Sequence, residues 1–214
     1  MSIQDSQKSG QNKWRVGITS RESLNLFLEG ARRFREIKPD IAFDIVEDNV
    51  KPILKMLEVG DLDMAVLVLT KVSEVQDHWE LLMKEELFLA IPKGGDFQGK
   101  TSELRDLTNR KVILAKKGTA FRALEEEILE QAKVVPHIAF EINNIEAVKE
   151  LVSNGLGFSF IPESMAKDQD AISYLSINPP AYRYHVLGLM KEQIHKETLK
   201  DWISVLKDIA NGKD

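Results

Sequence analysis

The segment NNIEAVKELVSNGLGFSFIP, residues 143–162, predicts a helix, a tight stop and a buried strand in immediate succession. Asn143 can cap the start of the helix, and Glu146 three residues later completes a capping box. Gly155 supplies the positive φ that ends a helix, and residues 156–161 follow as a short apolar strand that a proline ends. Large apolar side chains recur at three- and four-residue spacing, which predicts one buried helix face: Ile145, Val148, Leu151 and Val152.

A second copy of this pattern occupies residues 50–69, VKPILKMLEVGDLDMAVLVL. Its helix ends at Gly60, and residues 62–69 form a continuous apolar run of the kind that a parallel sheet covers on both faces. The two glycine stops lie about 95 residues apart, and this spacing indicates two related structural units in one chain.

The order of strands and helices around these segments is the same in each half. The first half reads strand, helix, strand, helix, strand over residues 13–19, 20–38, 41–47, 50–59 and 62–69. The second half repeats the order over residues 111–115, 120–133, 137–142, 143–154 and 156–161. We therefore predict an α/β protein with two doubly wound βαβαβ lobes, each with right-handed crossovers.

Further runs predict how the chain joins the lobes. Residues 85–92 and 183–190 are strand-like and stand where the chain would cross between the halves, and a helix at 196–210 is expected to return to the first lobe. The helix at 20–38 is expected to face inward with one stripe: Leu24, Phe27, Leu28, Ala31, Phe34 and Ile37. The predicted divisions are a disordered polar lead at 1–12, lobe I at 13–91 plus 188–214, and lobe II at 92–187, with a cleft between the lobes.

Composition excludes several classes of protein. The chain has 214 residues, 43% hydrophobic and 29% charged, which is ordinary for a globular domain. It has no apolar run of membrane-spanning length, and its polar start does not resemble a secretory signal. Because it has no cysteine, thiolate catalysis and thiolate metal sites are excluded. A formal net charge of −5 gives no global attraction to nucleic acid or anionic lipid, so small molecules or proteins are the expected partners.

Four predicted strand-to-helix turns are the candidate binding loops: residues 18–23, 47–50, 116–120 and 142–144. Ligands in open α/β sheets bind at the carboxyl ends of the strands, where helix N-termini also lie. All four turns have hydroxyl or amide side chains beside backbone N–H groups, an arrangement that favours a small carboxylate. Ordinary helix capping would explain each turn taken singly, so only their convergence favours a site.

Other motifs are weaker. Residues 94–101 match the phosphate-loop pattern G-x-x-x-x-G-K-[ST], but an aspartate lies inside the loop and no adequate helix follows it, which disfavours nucleotide binding. The four histidines show no ligand spacing, so we expect no metal: His78, His137, His185 and His195. The acidic run at 125–127 is most simply a solvated helix face. No catalytic residue and no cofactor site are predicted.

Four segments resemble the effector-binding domain of LysR-type transcriptional regulators. They are GDLDMAVL at 60–67, IPKGGDFQGK…LRDL at 91–107, GTAFRALEE at 118–126, and IEAVKELVSNGLGFSFIPES at 145–164. The resemblance covers about residues 13–210, and the last segment is the most specific. It implies a type 2 periplasmic-binding-protein fold, and it gives the phosphate-loop match another explanation as a crossover loop.

The resemblance implies a small-molecule effector, such as an organic acid, bound between the lobes of a cytoplasmic bacterial regulator. The implied ligand-binding residues are Thr19, Ser20, Asn49, Val50, Gly118, Thr119, Arg122 and Asn143. It also implies a homodimer, no membrane association, and DNA binding only through an N-terminal helix-turn-helix. Only a polar tail precedes Lys13 here, so this chain alone is not expected to bind an operator.

Two other functions fit the same predicted fold. An extracytoplasmic solute-binding protein of a transport system would have an upstream signal peptide or lipoprotein cysteine in its gene. A lyase on the same two-lobed scaffold would need an acid, base or nucleophile in the cleft, and no such group is legible in the sequence.

Overall fold

The computed structural model describes residues 13–94, 104–166, 171–190 and 197–212, and its chain divides into two compact units. Unit 1 comprises Met1–Lys84 and Tyr184–Asp214, and unit 2 comprises Glu85–Arg183. The predicted boundaries of lobe I and lobe II stay a prediction, and the predicted lead at 1–12 lies outside the described residues.

The described strands and helices follow the predicted order, with small shifts at their ends. The strands are β1 (Lys13–Ile18), β2 (Ala42–Glu47), β3 (Met64–Leu69), β4 (Glu80–Pro92), β5 (Lys111–Leu114), β6 (His137–Glu141), β7 (Ser159–Pro162), β8 (Ile172–Ser176) and β9 (Tyr182–Leu189). The helices are α1 (Arg21–Ile37), α2 (Val50–Glu58), α3 (Ala120–Gln131), α4 (Ile145–Ser153) and α5 (Glu197–Ala210). No helix in this described part of the chain is long and apolar enough to span a membrane.

In unit 1, β1 lies between β2 and β3 and is parallel to both. β9 then pairs with β3 in the antiparallel direction. The continuous apolar run of β3 is almost entirely buried, as predicted for a strand covered on both faces.

In unit 2 the strands follow the same order. β5 pairs with β6 in parallel, and Val112 of β5 forms a parallel bridge to Phe158, just before β7. β7 pairs with β4 in the antiparallel direction. Each unit therefore has its second, first and third parallel strands side by side, followed by one antiparallel strand. This confirms the internal repeat that the glycine stops indicated.

The helical core of unit 1 is built around Trp202. Its indole on α5 is fully buried, and its ring lies 5.6 Å from that of Phe27 and 5.2 Å from that of Phe34, measured between centroids. Gly30 lets α1 approach α5 closely, because a Cβ atom there would lie 2.6 Å from Cδ2 of Leu206. The predicted return of the last helix to the first half of the chain is confirmed.

The predictions of the buried face of α1 and of the start of β4 were wrong, and one strand was missed. Leu28 and Ile37 are 50% and 49% exposed, because Ser23 and Gly30 share the buried face of α1 with Phe27 and Phe34. β4 begins five residues before its predicted start at residue 85, and β8 was not predicted.

The start of α4 also differs from the prediction. Asn144, rather than Asn143, is the N-cap, and its side chain accepts a hydrogen bond from the N–H of Ala147 at 3.2 Å. The helix therefore begins at Ile145, and Asn143 is left to form another contact.

We expect Trp202→Ala to lower the free energy of unfolding by roughly 3–5 kcal/mol, because it leaves a cavity among packed aromatic rings. Leu28→Ala on the exposed side of α1 is the control and should change it by about 0.5 kcal/mol or less. Urea denaturation followed by circular dichroism measures both. Equal effects from the two substitutions would contradict a core centred on Trp202.

Candidate functional site

In unit 1, the turn after β1 is tied to β3 by a hydroxyl group. Thr19 Oγ1 accepts a hydrogen bond from the backbone N–H of Val68 at 3.2 Å. The next residue, Ser20, caps α1, because its side chain accepts a hydrogen bond from the N–H of Ser23 at 3.1 Å. Both predicted site residues are half-buried, and both already form hydrogen bonds that hold this turn.

The turn after β2 leaves its polar side chain available. Asn49 occupies the N-cap position of α2, but its exposed side chain makes no capping hydrogen bond. Its backbone N–H donates to Oδ1 of Asp48 at 2.7 Å. Val50 begins α2 and is half-buried. Because β2, β1 and β3 are parallel, this turn and the turn after β1 lie at the same edge of the sheet.

In unit 2, the turn after β5 is shaped by one glycine and one threonine. Gly118 has φ +87°, a conformation that side chains disfavour, and it has open space around its Cα. Thr119 caps α3, since its Oγ1 accepts from the N–H of Arg122 at 3.2 Å. The same hydroxyl donates to the carbonyl oxygen of Lys116 at 3.0 Å.

This turn presents backbone donors and positive charge together. The N–H groups of Lys117, Gly118 and Thr119 have no acceptor among the described residues. The side chains of Lys116 and Lys117 are exposed. A helix N-terminus with open N–H groups and cations nearby favours a small anion.

Asn143 joins the two strand-to-helix turns of unit 2. Its Oδ1 accepts a hydrogen bond from the N–H of Lys116 at 2.8 Å. The turns after β5 and β6 are therefore in contact, as expected for the carboxyl ends of neighbouring parallel strands. Gly118, Thr119 and Asn143 thus belong to one cluster in unit 2.

Arg122, also predicted as a ligand-binding residue, is 2% exposed and has protein partners. Its Nε donates to Oε1 of Glu126 at 2.8 Å, and its Nη1 donates to the carbonyl oxygen of Ala115 at 2.6 Å. The same Nη1 also forms a short ion pair with Glu141. The hydrogen bond from Arg122 holds the pKa of Glu141 below its ordinary value, and the charge of Lys117 acts in the same direction.

Glu125 is the residue of this cluster that the sequence interpretation missed. It was expected on a solvated helix face, but it is 1% exposed, and its Oε2 accepts a hydrogen bond from the N–H of Ala115 at 2.8 Å. Burial raises the pKa of Glu125 to about 8, and the Ala115 N–H and the Arg122 charge offset only part of that rise. The signal was present in its position four residues after Phe121 and three before Ile128, on the predicted apolar face.

Two other sequence predictions concerned metal binding and the phosphate-loop match. Over residues 13–94, 104–166, 171–190 and 197–212, no cluster of three acidic or histidine side chains is placed to hold a metal ion. Most of the phosphate-loop match at 94–101, and also His195, lie outside the described residues. A surface hollow of about 530 Å³ lies between α3 and β6; most of its lining is apolar, and Arg122 and Glu126 also line it.

Comparison with known proteins points to one family. A family model described as the LysR substrate binding domain matches residues 7–211. The HTH-type transcriptional regulator YybE of Bacillus subtilis (strain 168) is 31% identical over 157 residues, which cover 73% of this chain and 53% of that protein. The chain thus spans about half the length of such curated relatives.

Solved structures show the same fold. The CcmR regulatory domain of Synechocystis PCC6803 in complex with 2-PG has a TM-score of 0.74 at 16% identity, covering 94% of this chain and 98% of that one. The effector binding domain of QuiR in complex with shikimate has a TM-score of 0.68 at 20% identity, covering 94% and 97%.

We expect the substitution Glu125→Gln to remove a pH-dependent loss of stability. The pKa is about 8 in the folded state and about 4.3 in the unfolded chain, so between these values the folded state binds more protons and stability falls as pH rises. Relative to the unsubstituted protein, the variant should therefore gain up to about 1.4 kcal/mol of unfolding free energy per pH unit in that window.

Urea denaturation at intervals from pH 5 to pH 8 measures this difference. Glu130→Gln, at an exposed position of the same helix, is the control for the substitution itself. A difference between the Glu125 variant and the unsubstituted protein that stays constant from pH 5 to pH 8 would mean that Glu125 is ionised in the folded state.

Proposed function

Because the chain belongs to the LysR substrate-binding-domain family of transcriptional regulators, we propose that this effector-binding domain binds a small carboxylate at its strand-to-helix turns. The observation that supports this most is the turn after β5, where three backbone N–H groups at the N-terminus of α3 have no acceptor in the described part of the chain. Such donors suit the oxygen atoms of a carboxylate.

Charge at this turn supports an anionic ligand. The exposed ammonium groups of Lys116 and Lys117 add to the partial positive charge of the helix N-terminus. In contrast, the Arg122 guanidinium is shared among Glu126, Glu141 and Ala115. The backbone N–H groups and the two lysines are therefore the donors that we assign to the carboxylate.

The turns of unit 1 also have neutral polar groups that can bind a ligand. The Asn49 amide has no capping role and is exposed, so it can bind a ligand hydroxyl or carbonyl without breaking an existing bond. The Ser20 hydroxyl contacts the N–H and the hydroxyl of Ser23 and has capacity for one further hydrogen bond. The Thr19 hydroxyl already contacts Val66, Val68 and Ser23, so it would have to exchange one of these contacts for a ligand. The proposed ligand contacts are Thr19, Ser20, Asn49, Val50, Gly118, Thr119 and Asn143. The neighbour QuiR was solved with shikimate, which is itself a carboxylate.

We propose that ligand binding regulates transcription and that the domain does not catalyse a reaction. The curated relatives are named transcriptional regulators, YybE among them as an HTH-type regulator, and this chain matches about half their length. In the complete regulator, the effector would favour one conformation of the domain, and a DNA-reading part would respond.

We also propose a homodimer. β2 is an edge strand of unit 1, and β6 pairs with β5 alone among the described strands. Both edges have exposed apolar side chains, and the hollow beside β6 is apolar as well: Ile45 on β2, Ile138 and Phe140 on β6, and Val135 just before β6. Edge strands with exposed apolar residues invite another chain, and a second copy of this domain would cover them.

A thermal-shift screen with shikimate, 2-PG and malonate tests the ligand class, with Mg·ATP as the competing nucleotide. A ligand at 100 times its dissociation constant should add about 2.7 kcal/mol to the free energy of unfolding. We expect at least one carboxylate to stabilise the domain and Mg·ATP to have no effect. Stabilisation by Mg·ATP alone would contradict the proposal.

Two variants then locate the site by isothermal titration calorimetry with the carboxylate that stabilises the domain. We expect Lys117→Gln and Asn49→Leu each to weaken binding about threefold to tenfold, the range for one partly exposed charge or hydrogen bond. Lys111→Gln is the matched control, because that exposed lysine lies at the amino end of β5, whereas the turn with Lys117 follows the carboxyl end. If the control weakens binding as much as Lys117→Gln, the site does not lie at these turns.

For the homodimer, we expect Phe140→Asp to raise the dissociation constant of the dimer about tenfold or more by placing a charge in an apolar interface. Leu156→Asp changes an equally exposed apolar residue away from either edge strand and should leave association unchanged. Sedimentation velocity over a concentration series measures both variants. A monomeric unsubstituted chain, or equal weakening by both variants, would exclude the proposed interface.

A further inference from the structure

We propose that Arg122 and Glu125 are positioning residues for the effector loop, defined here as residues 115–119, and that neither contacts the effector. The inference rests on the proposed function, since it assigns how that same site is shaped. It gives Arg122 a different role from the ligand contact that the sequence resemblance implies.

The two side chains hold one residue of the loop by both of its backbone polar groups. The carboxyl group of Glu125 accepts the N–H of Ala115 at 2.8 Å, while Nη1 of Arg122 donates to the carbonyl oxygen of Ala115 at 2.6 Å. Ala115 is itself buried. Losing either partner would leave a buried backbone group without a hydrogen bond, which is costly enough to change the local conformation.

The following residue is held in the same way from two other positions. The N–H of Lys116 donates to Asn143, and the carbonyl oxygen of Lys116 accepts from Thr119. Four successive backbone groups thus have side-chain partners, and the loop then reaches the open N–H groups of residues 117–119. These hydrogen bonds to the backbone of Ala115 and Lys116 form a clamp on the loop. The geometry of the open N–H donors depends on this clamp.

The charges around Arg122 argue against a direct contact with an anion. Its guanidinium pairs with the carboxylates of Glu126 and Glu141, and its side chain is 2% exposed. An effector carboxylate at Arg122 would have to approach these two negative groups or displace them. Lys116 and Lys117 offer exposed positive charge on the loop.

The role of Glu125 depends on its acceptor oxygen. Because burial raises the pKa of Glu125 to about 8, the side chain is a neutral carboxyl group at pH 6.5. Glutamine is also neutral and keeps an acceptor oxygen, whereas leucine has a similar size and no acceptor. Comparing the two variants therefore separates the hydrogen bond to Ala115 from charge and volume.

The first test is amide hydrogen exchange at pH 6.5, measured residue by residue by NMR without any ligand. We expect Glu125→Leu to accelerate exchange of the Ala115 and Lys116 amides about tenfold relative to β1, whose exchange reports on the other unit. Glu125→Gln should restore protection to within about threefold. Glu130→Leu, at an exposed position of α3, is the matched control and should leave the loop unchanged.

If Glu125→Leu does not fold, Arg122→Lys replaces it and should also accelerate exchange of the Ala115 and Lys116 amides. Lysine keeps the charge but cannot reach three acceptors with one planar group. Unchanged exchange at Ala115 and Lys116, or equal acceleration throughout α3 and α4, would overturn the proposal. Failure of Glu125→Gln to restore protection would also overturn it, since the acceptor would then not be the property that matters.

A second test measures affinity for the carboxylate that stabilises the unsubstituted domain. Glu125→Leu should weaken binding about tenfold, with Glu125→Gln close to the unsubstituted value. If no carboxylate binds the unsubstituted domain, the proposed function fails while the exchange experiment still decides whether the clamp exists. If Glu125→Leu frees the loop but leaves affinity unchanged, the positioning role is excluded.

Discussion

Parallel pairing of the first strand with its neighbours is the constraint on which the rest of each unit depends. Parallel strands cannot be joined by tight turns, so each connection crosses back through a helix. All strand-to-helix turns of a unit then lie at one edge of its sheet, where the helix N-termini also lie. In unit 2 this is directly visible, because Asn143 in one turn accepts a hydrogen bond from Lys116 in the other. The candidate site is thus a consequence of how the strands pair.

The same constraint makes the turns depend on buried side chains. A turn at the carboxyl end of a buried strand has backbone groups that the sheet no longer pairs, and water cannot reach all of them. Thr19 bonds the N–H of Val68 in unit 1, and Arg122 and Glu125 bond both groups of Ala115 in unit 2. Core and site are therefore built from adjacent residues, and the buried cluster around α3 couples the stability of the helix to the shape of the loop.

Most of the fold could be predicted because its signals are local. Glycine stops, apolar periodicity and the repeated order of elements predicted the two wound units, and the likeness to LysR regulatory domains confirms the periplasmic-binding-protein-like α/β fold. Burial could not be read as reliably. Leu28 is exposed and Glu125 is buried, since each depends on what packs against its helix. Which asparagine caps α4 also depends on a tertiary contact. Asn143 accepts a hydrogen bond from the N–H of Lys116, and Asn144 is the cap. The ligand-binding residues stay a prediction.

An amide NMR titration of the 15N-labelled chain with shikimate, or with whichever carboxylate stabilises it most, tests the central claim most directly. We predict that the largest shifts in unit 2 fall on residues 117–119 and that they follow one dissociation constant. Shifts concentrated around the apolar hollow between α3 and β6, with residues 117–119 unaffected, would contradict the assignment of the strand-to-helix turns as the effector site.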